Sequence, residues 1–224
     1  MRLHRVIIVG ILFAVLSLSP AYAGLFDAVT SIAGGGSSGG GDLDTFLVRA
    51  TTAEALINNS TKAMFNAIAS DKEQAKIEEI QKKMNATTDP KEKEAIQREL
   101  TESQLAVIKK EAGNKELQEK ASTWSDKKKG YVANAFFNYA LGALQAGLIV
   151  KDGKALVSNP ANAVKAATKL GEVKDAISSL GGIATGSVDM ISSLKTFMSA
   201  ANIKVTVPKS ATEKSVPMND DDMG

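Results

Sequence analysis

From Leu43 onward, apolar residues recur at steps of three and four. Leu43, Phe46, Leu47, Ala50, Ala53, Ile57, Met64, Ala67 and Ile68 trace one side of a helix, with polar side chains on the other. Asp42 or Asp44 can cap it. Ile77, Ile80 and Met84 continue a thinner stripe beyond Ser70, where "SDKE" has the spacing of a capping box. Pro90 disfavours helical backbone at Asp89, so Asp89 or Thr88 caps a new helix with Pro90 in its first turn. Ala95, Ile96, Leu100, Leu105, Ile108 and Ala112 carry that helix to Gly113-Asn114, which kinks or ends it. Residues 71–129 are dense in charge of mixed sign. A narrow apolar seam with charged flanks predicts a helical hairpin in water over 71–112, turning at 86–89.

The pattern changes at residue 131. Tyr131 to Val150 holds no charged side chain, with Lys127, Lys128 and Lys129 before it and Lys151 after it. Its length matches a bilayer core. Gly142 with Ala146, and Ala143 with Gly147, place small residues four apart, which permits close helix contact. Asn134, Asn138 and Gln145 argue the other way, because lipid would leave these amides without partners. In a bundle the same amides can bond a neighbour. The one-sided stripes elsewhere also need an apolar element to cover them, so 131–150 is expected to be the central helix of a soluble bundle.

"KDGK" after Val150 is expected to turn the chain. Asn159 and Pro160 then read as the start of another helix, along Val164, Ala167, Leu170, Val173, Ile177 and Leu180. Gly181-Gly182 reads as an interruption, with Gly182 and Gly186 permitting a helix crossing. A last helical face runs through Ile183, Met190, Ile191, Leu194, Phe197 and Met198. "IKVTVP" is a short extended piece, and the residues after Pro208 have so little to bury that a disordered acidic tail is expected. No long alternating pattern predicts a sheet.

The start of the chain adds a compartment. Arg2 and Arg5, the apolar run Val6–Leu18 and the small residues Ala21 and Ala23 form the three parts of a cleaved secretory signal over 1–23. Residues 24–41 combine a short amphipathic segment, with Leu25, Phe26, Val29 and Ile32 on one side, and a Gly/Ser linker. The expected organisation is therefore an all-α, elongated antiparallel bundle over 42–201, with 71–112 projecting from it and 202–224 as extended piece and tail.

Composition then removes most chemistries. Lys and Arg total 27 against 25 Asp and Glu, and loss of Arg2 and Arg5 with the signal makes the mature chain formally neutral. Neutrality and a shortage of arginine exclude general nucleic-acid binding. The chain has no cysteine, and its single histidine is His4, inside the signal. Ser-His-Asp and Cys-His catalysis are excluded, as are zinc, copper, haem and iron–sulfur sites of ordinary ligation. "GGIATGS" lacks both the preceding strand and the Lys-Ser/Thr ending of a phosphate loop. "NDDD" lacks calcium-loop spacing.

No catalytic residue, metal or cofactor is expected. Export without cysteine points to a bacterial periplasm or exterior. The reading is a non-enzymatic helical protein with an apolar partner: a lipid, a membrane surface or an envelope protein. Contacts to that partner are expected from Leu25, Phe26, Val29, Ile32, Trp124, Tyr131, Phe136, Phe137 and Tyr139. The alternative is a membrane-inserting or pore-forming protein that uses 131–150 and oligomerises.

Overall fold

A computed structural model describes residues 43–159 and 167–219. The predicted signal, the amphipathic segment with Leu25, Phe26, Val29 and Ile32, the cap at Asn159-Pro160 and the last acidic residues lie wholly or partly outside them. Among the described residues the regular structure is all helical: α1 (Leu43–Ile68), α2 (Asp71–Ala86), α3 (Pro90–Ala112), α4 (Lys115–Ser122), α5 (Asp126–Ser158) and α6 (Ala167–Ala200).

The breaks obey local chemistry. At Ser70 the chain starts a new helix, and the Ser70 N–H donates to Glu73 Oε2 at 3.1 Å. Asp89 Oδ1 accepts the N–H groups of Lys91 and Glu92, both at 2.9 Å, ahead of a helix that begins at Pro90. Asn114 caps α4 in the same way, so Gly113 ends a helix instead of kinking one. α6 closes with Asn202 in the left-handed region at φ 53°. The Ile203 N–H reaches Met198 O at 2.8 Å and the Asn202 N–H reaches Ser199 O at 3.2 Å, the two bonds of a Schellman ending.

α1, α5 and α6 form the centre. Asp44 pairs with Lys169 and Glu54 with Ser179, so α1 and α6 run parallel. α5 runs against both, because Gly142 lies on Ala53 and Ile57 while Gly153 lies on Phe46 and Ile177. A β-carbon at Gly153 would come within 2.7 Å of both Phe46 and Ile177, so three helices meet where only a hydrogen fits. Phe46, Ile57, Met64, Phe65, Phe136, Tyr139, Ile149, Leu180, Leu194 and Phe197 fill the core.

Three expectations need correction. "KDGK" does not turn the chain: α5 continues through it to Ser158, with Asp152 3.0 Å from Arg49 and Gly153 buried. Gly181-Gly182 does not interrupt α6, which runs unbroken, and neither Gly182 nor Gly186 faces a neighbour within 4 Å of a β-carbon. The 71–112 hairpin forms, but its second arm does not project. Ile96, Leu100, Ile108 and Ala112 bury α3 against the bundle, where it contacts α1 and α6. The physical reason is α3's own apolar stripe, too wide for α2 alone, whose one buried residue is Ile77. Lys110, 2.8 Å from Glu73 and 2.9 Å from Glu111, ties the two arms together.

Candidate functional site: the outer stripe of the fifth helix and its strap

The chargeless stretch is wrapped, as expected of a central helix. Tyr131, Phe136, Phe137 and Tyr139 are all buried, as is Leu141. Trp124 is half-buried, its ring centroid 6.3 Å from that of Phe197 and 4.9 Å from Lys128 Nζ. The Tyr139 hydroxyl lies 3.1 Å from Ser187 Oγ, which donates to Ile183 O at 2.7 Å. Burial raises the Tyr139 pKa and the Ser187 bond opposes that shift. The four predicted contact aromatics of α5 are therefore covered in this conformation: a partner could reach Tyr131, Phe136 and Tyr139 only if α5 left the bundle, and Phe137 only if the segment around Val216 lifted away.

α5 has a second apolar row that its aromatic content masks. Phe137, Leu141, Leu144 and Leu148 are spaced at steps of four, three and four and share one face, turned away from the main core. The first two are 8% and 1% exposed; Leu144 and Leu148 are 43% and 48% exposed. What covers the first half is the segment expected to be disordered. Residues 203–208 leave α6, a turn occupies 209–213, and 214–219 return along α5. Leu56, Phe137 and Leu141 form a cluster separate from the main core, and Val216 packs on it.

The three amides hold this strap. Asn134 Nδ2 donates to Pro217 O at 3.1 Å, and Gln145 Nε2 donates to Ala211 O at 3.1 Å. Between them Asn138 makes two bonds with one residue: its Nδ2 donates to Val216 O at 2.7 Å, and its Oδ1 accepts the Val216 N–H at 2.8 Å. Residues 209–219 keep a defined path despite their low apolar content because their backbone groups find partners on a helix that carries spare amides. The turn is closed by Glu213, whose carboxylate accepts the N–H groups of Lys209 and Ser210.

Replacing Asn138 with alanine removes both bonds to Val216. The strap's closure should weaken by about 1–3 kcal/mol. Hydrogen exchange should then show the Val216 amide exchanging roughly 5- to 150-fold faster, with core amides little changed.

Glu54 is a second titratable group held partly away from solvent at a helix contact. Its carboxylate accepts from Ser179 Oγ at 2.8 Å, and burial raises its pKa against that bond. Among the described residues no group of three or more His, Cys, Asp or Glu is placed to hold a metal ion. Comparison of the chain with family models, curated proteins and solved structures finds no match in any of the three. The signal in the sequence for this site was the 134, 138, 145 spacing of amides inside an uncharged helix. What it did not indicate was their partner.

Proposed function

We propose that this is an exported, non-enzymatic helical protein that binds an apolar partner through the bare half of the α5 stripe. The observation that carries the reading is the exposure of Leu144 and Leu148 in line with two residues that the strap covers. Gly147 lies beside them with open space around its β-position, so a partner can approach the helix closely there. The partner is a lipid, a membrane surface or an envelope protein, each of which offers apolar area without requiring a reaction. The basic, apolar and small-residue sections of 1–23 support export to a bacterial periplasm or beyond.

Flotation of the purified mature chain with liposomes tests the lipid form. Binding should fall roughly thirty-fold in a Leu144→Lys, Leu148→Lys double variant, since two leucines of which about half is free to be buried contribute about 2 kcal/mol together. Both positions are at the surface, so helix content should be unchanged. A wild-type chain that stays at the bottom of the gradient removes lipid and leaves a protein partner.

The second reading is membrane insertion of α5. It is favoured by one feature: among the described residues α5 is the helix long and apolar enough to cross a bilayer. Against it, 67% of the most apolar window of α5 is buried in the folded chain, which is how a core helix behaves. Release of a trapped dye from vesicles would select this reading over docking at the surface.

A further inference from the structure

Asn138 treats Val216 as a neighbouring β-strand would, taking its N–H and giving to its C=O. Those two bonds read backbone and are indifferent to sequence. Asn134 and Gln145 add two more backbone-reading donors along the same helix. Side-chain choice is left to two apolar contacts: Val216 enters a seat lined by Leu56, Phe137 and Leu141, and Met218 packs on the main core. Backbone ladder plus a few apolar seats is the make-up of a receptor for an extended peptide. The peptide whose fit this structure displays is the chain's own return arm.

We propose that the α1–α5 groove also accepts residues 214–219 of a second copy of this chain, giving a tail-exchanged dimer. The hinge is the turn at 209–213. Its closing bonds, from the N–H groups of Lys209 and Ser210 to Glu213, are internal to the turn, and its one amide tie to α5 is from Gln145 to Ala211 O. Straightening the turn gives up that tie and carries Val216 away from its own α5. The bonds of Asn134 and Asn138 to Pro217 and Val216 are then remade between two molecules, with no new interface required. The short connection favours the internal seat in dilute solution, and exchange grows with concentration. This inference does not rest on the apolar-partner reading.

The absence of cysteine permits a direct test with the full chain. One preparation carries Asn134→Cys and a second carries Pro217→Cys; Val216 and Asn138 are untouched. The two are mixed at rising concentration and treated with a short bismaleimide. The expected result is a cross-linked heterodimer whose yield rises with concentration above that of a Lys76→Cys control on the exposed side of α2. Adding Asn138→Ala to both chains takes the same two bonds from the closed and the exchanged forms, so the yield at equilibrium should be unchanged while the time to reach it shortens roughly tenfold, and Asn138→Asp, which keeps the acceptor and loses the donor, should shorten it less. Circular dichroism establishes that these variants remain helical. A chain carrying both cysteines should link internally when dilute. A yield that never exceeds the control overturns the exchange. A time course of linking indifferent to Asn138→Ala overturns the amide ladder as its basis. Failure of the doubly substituted chain to link internally overturns the seat itself.

Discussion

Phe136→Ala is expected to lower the stability of the folded chain by about 3–5 kcal/mol. Phe136 is completely buried on α5, the helix that contacts both α1 and α6. Alanine suits the helix well, so backbone propensity offers no loss. The loss comes from the ring's transfer free energy and from a void that three long helices cannot close without moving together. A natural domain holds about 5–15 kcal/mol in total, so one truncation here removes a large part of it. Urea denaturation monitored by circular dichroism should show the midpoint falling with little change of slope. Phe137→Ala should be milder, because Phe137 belongs to the small outer cluster under the strap and the strap can settle into the gap. Equal losses at the two positions would mean that the outer cluster is as rigid as the core.

Ala140→Glu is expected to unfold the chain at neutral pH. Ala140 is 1% exposed, between Tyr139 and Leu141, which are themselves buried. An ionised carboxylate there would cost several kcal/mol unless it were neutralised, so its pKa in the folded state would lie above that of an exposed glutamate. The folded state then binds the proton more tightly than the unfolded chain does. Stability is therefore greatest below the ordinary glutamate range and falls as pH rises through the folded-state pKa. Helix content measured against pH should be recovered in part on acidification. Insensitivity to pH would place residue 140 at a surface. The same substitution is a poor probe of membrane insertion, because it removes the folded starting state. Leu148→Lys, at a half-exposed position, leaves that state intact.

Much of the architecture could be read directly from local rules. Ser70, Asp89-Pro90 and Asn114 begin helices because each combines a capping side chain with a first turn suited to helix, and no distant contact is needed to recognise that. The errors came where distant residues decide. Lys151-Asp152-Gly153-Lys154 has the composition of a turn, yet Arg49 on another helix pairs with Asp152, and Phe46 and Ile177 need the space that Gly153 leaves. Gly181-Gly182 sits inside a helix because the elements packed on either side of it hold α6 straight against its low propensity. The strap was the least legible element. Hydrophobic pattern registers what a segment buries, and residues 214–219 are held chiefly through their backbone, by side chains found 78 and 83 positions earlier. The site residues divide in the same way. The aromatics of α5 stand out in the sequence for their chemistry and are buried in the fold, whereas Leu144 and Leu148 stand out only once the faces of the helix are known.

The parallel course of α1 and α6 has a kinetic corollary. Asp44 meets Lys169, and Glu54 meets Ser179, each across 125 positions of chain. Helical proteins ordinarily assemble fast because their partners are near in sequence. Here the first helix waits for the sixth, and a large loop must close before their contacts offset its entropy. α2 and α3, joined by three residues, can pair early, while α1 and α5 keep apolar surface open until α6 arrives.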